Sequence, residues 1–253
     1  FGRKGQDAAL VRGWVPAEVH ESVSWTLEGC VSDAAAAVLA RARARSTTGA
    51  ASRRAHAEAR FLAHRAHAYR SLWDSSTGFF RPRRADGSWA DEPFDPRVWG
   101  GGHTETNAWG SRFGVPHDGA GLARLLGGRE GLGEALDALF ETPETARAAF
   151  AGSYGRVIHE MPEARDIRRG MWALSNQPAH HVPWLYAHSD RPWRTNDIVT
   201  DAVDRLFRGS RIGQGYPGDE DNGEMSAWHL LSVIGLAPFP AGSGGMLWTA
   251  PRR

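Results

Sequence analysis

Residues 21–45 read ESVSWTLEGCVSDAAAAVLARARAR, and this run decides the fold class. Ser22 or Glu21 opens a helix, Val23, Leu27 and Val31 follow at four-residue steps, and an alanine-rich segment leads to Val38. Thr47, Thr48 and Gly49 end it. A second helix is predicted over Ala51 to Trp73, because Ala55, Ala59, Leu62, Ala66, Tyr69 and Leu72 recur every three or four residues. Two such helices joined so closely form an antiparallel pair.

Downstream, the same periodicity predicts helices over Ala120 to Leu126, Gly131 to Phe140, a Pro143-started segment through Phe150, Asp197 to Phe207 and the run from Met225. Between them lie irregular stretches. Asp74 to Pro96 carries Gly78, Pro82, Gly87, Pro93 and Pro96 and reads as a long loop with a hairpin around Arg84 to Gly87. Gly152 to Arg169 admits short helical turns, and a strand is expected at Met246 to Thr249. No βαβ rhythm appears, so the class is all-α with long loops.

Composition excludes several functions. The 253 residues carry a net charge of +1, with basic residues dispersed and without interleaved aromatics, which argues against a nucleic-acid partner. No apolar run is long enough to span a bilayer. The single cysteine, Cys30, rules out an intrachain disulfide and a thiolate zinc site, and reads as a small core residue. His56, His64 and His67 read as ordinary helix residues. The eleven tryptophans suit both core packing and stacking on sugar faces.

Chemistry concentrates in two places. Gly218 to Trp228, GDEDNGEMSAW, puts Asp219, Glu220 and Asp221 before a helix that Asp221, Asn222 or Gly223 can cap. A helix N-terminus favours ionised carboxylates, so one acid there suits a proton acceptor. Glu105, in Trp99-Gly-Gly-Gly-His-Thr-Glu-Thr-Asn-Ala-Trp109, is flanked by aromatic residues and glycines, and apolar walls would keep it protonated as a proton donor. That division of labour is the one glycoside hydrolysis needs.

Several motifs, in order, give the chain a resemblance to the calcium-dependent, exo-acting α-mannosidases of glycoside hydrolase family 92. They are Ser22-Val-Ser-Trp-Thr-Leu-Glu28, Thr77-Gly-Phe-Phe-Arg-Pro-Arg83, Asp86-Gly-Ser-Trp89, Phe94-Asp-Pro96, Thr104-Glu-Thr-Asn-Ala-Trp109, Val115-Pro-His-Asp118, Asn176-Gln-Pro-Ala-His-His181, Pro192-Trp-Arg-Thr195 and the acidic turn. The resemblance implies the later part of an (α/α)6 barrel over residues 1–253, with the family's N-terminal β-sandwich, on which the barrel packs, absent from this chain. It places the general acid on Glu105 and the base on Asp221, with Asp219 assisting or exchanging that role. It further implies inversion, hence carboxyl groups about 6.5–9.5 Å apart.

Calcium is the implied cofactor, gripping the mannose O2 and O3 hydroxyls, with Gln177, His180 and Asn196 as implied ligands. Trp99, Trp109, Asn176, Gln177 and His181 are the implied substrate contacts. The implied substrate is terminal α-linked mannose on glycans, and the setting is secreted or at a bacterial cell surface. Departures from the pattern are Thr106 for glycine, Glu224 for glutamine, and Gly-Ser-Arg-Phe-Gly after Trp109, which adds Arg112 to the expected pocket wall. Asn176-Gln177 stands where α-1,2-cleaving members carry His-Glu, which leaves the linkage open. Two alternatives accompany this reading: a non-catalytic mannose-binding remnant, and a hydrolase of mannose phosphodiesters, for which Arg112 would suit the phosphate.

Overall fold

The computed structural model describes residues 2–90, 93–208 and 215–251. Short helix α1 (Gln6–Arg12) precedes the pair α2 (Ser22–Ser46) and α3 (Gly49–Arg65), the most extensively packed elements of the chain. Their interface buries Ala37, Ala40, Ala44, Ala55 and Ala59, small side chains that let the two backbones approach closely. Buried Asp33 on α2 binds Arg65 of α3 at 3.0 Å and Arg3 at 2.5 Å. Cys30 is buried beside this contact, where desolvation pushes its thiol up to about 12.

The second helix stops earlier than its periodicity predicts. Ala68–Leu72 tightens into a 3-10 turn, which still buries Tyr69 and Leu72 while the chain swings into a hairpin of β1 (Trp73–Asp74) and β2 (Phe79–Phe80). The long loop is therefore a brace. Buried Arg81 pairs with Asp74 at 2.7 Å and lies over the rings of Trp89 and Phe94. Against the opposing effect of burial, the bonds from Ser76 and then Arg81 hold Asp74 down to about 2. The hairpin expected at Arg84 to Gly87 forms, closed by the Arg83–Trp89 bridge.

Beyond it come α4 (Ala108–Ser111), α5 (Gly119–Leu125), α6 (Arg129–Glu141), α7 (Glu160–Ile167), α8 (Arg194–Leu206) and α9 (Glu224–Ile234). A 3-10 segment, Val182–His188, packs against α5, α6 and α8. A second hairpin, β3 (Leu236–Pro238) with β4 (Met246–Trp248), closes the described chain. The chain is all-α apart from these hairpins. Its main core joins Val23, Leu27, Phe113, Leu136, Trp172 and Ile198, each contributing about 1.5–3 kcal/mol of burial for a large aliphatic or aromatic side chain.

The helix expected from Pro143 to Phe150 is absent. Glu144 turns its carboxylate onto the backbone N–H groups of Thr145 and Ala146 at 2.8 and 2.7 Å, Ala146 adopts φ 52°, and only a 3-10 turn at Ala148–Phe150 remains. Large apolar residues stay exposed at both ends of the chain's path, Leu39 and Phe61 on α2 and α3, and Leu230, Ile234 and Trp248 on α9 and β4.

Candidate active site

The loop before α4 is tied at four points so that one side chain projects from it. Asn107 caps α4 through Gly110 N–H, buried His103 bonds Ser111 Oγ at 2.8 Å, Thr104 N–H donates to Ser24 Oγ at 2.9 Å, and Glu105 N–H donates to the Tyr154 hydroxyl at 2.7 Å. Glu105 is the tip. Its φ of 49° is left-handed, a conformation that costs a non-glycine residue about 1–2 kcal/mol and that the surrounding bonds impose. Thr106 is accommodated because Gly110 lacks a Cβ, which would collide with its hydroxyl.

Opposite lies the Ser175–His181 loop. Asn176 Oδ1 accepts from Gln177 N–H at 3.0 Å, which fixes the amide so that Nδ2 faces Glu105 Oε2 at 3.0 Å. The neighbouring Gln177 turns its Nε2 onto Asp221 Oδ2. Two consecutive amides thus hold the two remote carboxylates, one each. Among the described residues, Glu105 Oε1 and Asp221 Oδ1 accept nothing from the protein.

Within the acidic turn the three carboxylates divide their tasks. Gly223, at φ 101°, occupies the N-cap position of α9, as the sequence allows, but the capping side chain is Glu220, which accepts from Gly223 N–H at 2.6 Å and Ser226 N–H at 3.2 Å. Bonds from Ser226 and Gly223 hold Glu220 below the usual carboxylate range. The charge of Asp219 reaches Glu163, adding to the burial that pushes the Glu163 carboxyl up. Asp221, exposed and at φ 56°, is left to Gln177.

Several expected contacts lie elsewhere. Trp99 is 1% exposed and donates its indole N–H to Glu144 at 3.1 Å, so it is a core residue. Trp109 packs edge-on against Phe79 and beneath Arg112. Arg112 is likewise no pocket wall: its guanidinium is stacked on Phe79, Trp109 and Phe113, and desolvation lowers it to about 10. His181 bonds the Phe113 carbonyl at 2.7 Å and steadies the backbone. Glu105 is exposed, so the apolar surface expected around it covers it on one side only.

Trp25 borders Glu105 in a cavity of about 270 Å3 that also takes in Leu139, Met171, Asn176 and the buried Trp172, whose indole N–H donates to the Ala179 carbonyl at 2.8 Å. The predicted first helix contained Trp25 and no reading was made of Trp172; only the fold brings the two to one cavity.

Among the described residues no three His, Cys, Asp or Glu side chains converge on a metal-sized point. Oxygen donors suited to a hard cation are nevertheless at hand in Gln177 Oε1 and the carboxylates of Asp219 and Asp221. His180 fits such a cation poorly: it offers nitrogen, its ring is kept neutral by desolvation at about 4, its Nε2 has no partner, and its carbonyl is taken by Trp228 at 3.0 Å. Asn196, on the first turn of α8, makes no side-chain hydrogen bond to Gln177, His180 or the acidic turn among the described residues.

His103, His180 and His181 are all lowered to about 4 by burial. The unfolded chain therefore binds their protons first, so their contribution to stability is complete above about pH 6.5 and is lost as pH falls toward 4. A thermal midpoint that is flat above pH 7 and drops between pH 6.5 and 4 is the expected result in a buffer series, with the drop reduced in a His181→Gln variant.

Residues 1–252 match the model of the glycosyl hydrolase family 92 catalytic domain. The chain belongs to that family. It is 35% identical to a family 92 inverting mannosidase of Bacteroides thetaiotaomicron VPI-5482, with TM-score 0.76, over 99% of this chain and 32% of that one. A family 92 α-mannosidase from Bacteroides thetaiotaomicron, solved with mannoimidazole, aligns at TM-score 0.79 and 26% identity over 97% of this chain and 30% of that one. An uncharacterized secreted glycosidase of Arthroderma benhamiae is 25% identical over 64% of this chain and 19% of its own length. The chain thus spans about a third or less of these relatives, and its helices are part of the family's all-α barrel architecture.

Proposed function

We propose that this chain carries the acid and base of an inverting, exo-acting α-mannosidase that removes terminal α-linked mannose from glycans with the help of calcium. The observation that carries the reading is the pair of adjacent amides, Asn176 and Gln177, each holding one of two carboxylates that lie far apart in sequence. Glu105, with Oε1 free, protonates the leaving oxygen. Asp221, with Oδ1 free, takes the proton of a water attacking the opposite face of the sugar. Separate holders keep the carboxylates from pairing, which favours room for that water. Arg112 is committed to its aromatic neighbours, which removes the residue that favoured a phosphodiester substrate.

Calcium, when bound, would anchor two vicinal sugar hydroxyls, with Gln177 Oε1 and the acidic turn as its nearest oxygen donors. The packing partner is an N-terminal β-sandwich, a reading supported by the length of the structural relatives and by the exposed apolar residues of α2, α3 and α9. No described helix is long and apolar enough to cross a membrane, and the secreted fungal relative favours an extracellular or cell-surface setting.

Exposure of Glu105 favours one alternative, a mannose-binding remnant without turnover. A single NMR experiment on α-linked mannobiosides separates the two. Release of β-mannose as the first product, stopped by EDTA and restored by added calcium, is expected. First release of the α-anomer rules out inversion, activity indifferent to EDTA rules out calcium, and binding of mannose without any release establishes the remnant.

A further inference from the structure

Residues of α1 and the turn before it, of α2 and of α3 line a cavity of about 520 Å3 that neither Glu105 nor the acidic turn borders. We propose that it is a binding site for a tetrahedral oxyanion, a phosphate or sulfate group, held by Arg3, Lys4, Arg12 and Arg65. Its volume lies within the range of about 300–1,000 Å3 typical of small-ligand sites, which leaves room for a group attached to the anion. Dispersed along the sequence, the four cations come to one cavity only through the fold.

Two of them are fixed in advance. Asp33, 4% exposed, lies 2.5 Å from Arg3 Nη2 and 3.0 Å from Arg65 Nε, and it is the one carboxylate among the described residues that line the cavity. A single negative charge thus orients two guanidiniums and neutralises one. Gly29 makes room for the first of them, since a Cβ there would stand 3.0 Å from Arg3 Nη1. Each guanidinium carries five N–H donors in a rigid fork, and its contact with Asp33 leaves most of them for a ligand.

The other two have no counter-charge. Lys4 is exposed, with its ammonium 5.3 Å from the Trp25 ring centre and without an ion pair among the described residues. Arg12, also exposed, bonds only the Ala85 carbonyl there, at 3.3 Å. Arg70, on the same cavity, is answered by Asp118 at 3.2 Å and adds little. Crowded cations repel one another, and a multiply charged anion relieves that repulsion where a neutral ligand does not. Arginine and lysine only donate, so the ligand must be rich in acceptors, and the oxygens of a phosphate or sulfate meet both demands. Trp25 also lines the cavity beside Glu105, so the two cavities share a wall.

The test is isothermal titration of the full-length protein with inorganic phosphate, sulfate, glucose 6-phosphate and glucose, at an ionic strength held constant with sodium chloride. Saturable binding of phosphate or sulfate at one site, with none of glucose, is expected. Lys4→Gln combined with Arg12→Gln should weaken it by about tenfold or more, and both positions are exposed, so the fold is kept. Glucose 6-phosphate binding more tightly than inorganic phosphate identifies a phosphate ester as the occupant, and equal affinities identify the free anion. Absence of saturable binding by the wild-type protein, or undiminished binding by the double variant, overturns the assignment. So does an equal weakening in Arg41→Gln, which removes an exposed arginine of α2 outside the cavity.

Discussion

Glu105→Gln is expected to lower kcat on an α-linked mannobioside by about 10²–10⁴-fold, the contribution of a positioned general acid. The loss should shrink sharply on 2,4-dinitrophenyl α-mannoside, whose leaving group departs without a proton. Glutamine is close in shape to glutamate and meets the same ties at residue 105, the Thr104 and Glu105 N–H bonds to Ser24 and Tyr154, so the loop keeps its conformation. Asn176 would face an amide instead of a carboxylate oxygen, and a turned amide still presents it an acceptor. An equal loss on both substrates would mean that Glu105 positions the sugar and donates no proton.

Asp221→Asn should produce a comparable loss of about 10²–10⁴-fold on both substrates, because activation of water is needed whatever the leaving group. The left-handed φ of 56° tolerates asparagine as well as aspartate, so this variant removes the charge without unwinding the turn. Asp219→Asn supplies the control. Gln177 bonds Asp221 rather than Asp219, so replacement of Asp219 should cost less than that of Asp221. A larger loss for Asp219→Asn would move the base to that residue, and thermal melts of all three variants would show whether the fold is intact.

Helical segments were legible from the residues where burial on one face writes itself at 3.6-residue spacing, as in Arg194–Leu206, or where alanine-rich composition favours the helix, as in Ser22–Ser46. The segment after Pro143 misled for the same reason in reverse. A helix was written in its spacing, but Glu144 satisfies the next two backbone N–H groups with its own side chain and bends the chain at Ala146. The tryptophans resisted reading because an indole in the core and an indole on a pocket wall have the same local pattern. Trp99 is fixed by Glu144, 45 residues away, while Trp25, only partly buried, comes to a cavity beside Glu105 through the fold.

By itself the sequence determined the helical class, the family motifs and the two acidic stretches, because these reside in spacing and residue type along the chain. Only the tertiary structure decided which carboxylate of the acidic turn caps its helix, which lends its charge to Glu163 and which meets Gln177. All three carry the same charge and lie within three residues. They part company through the direction each side chain takes from a left-handed turn, and through the partner that a distant loop brings to it.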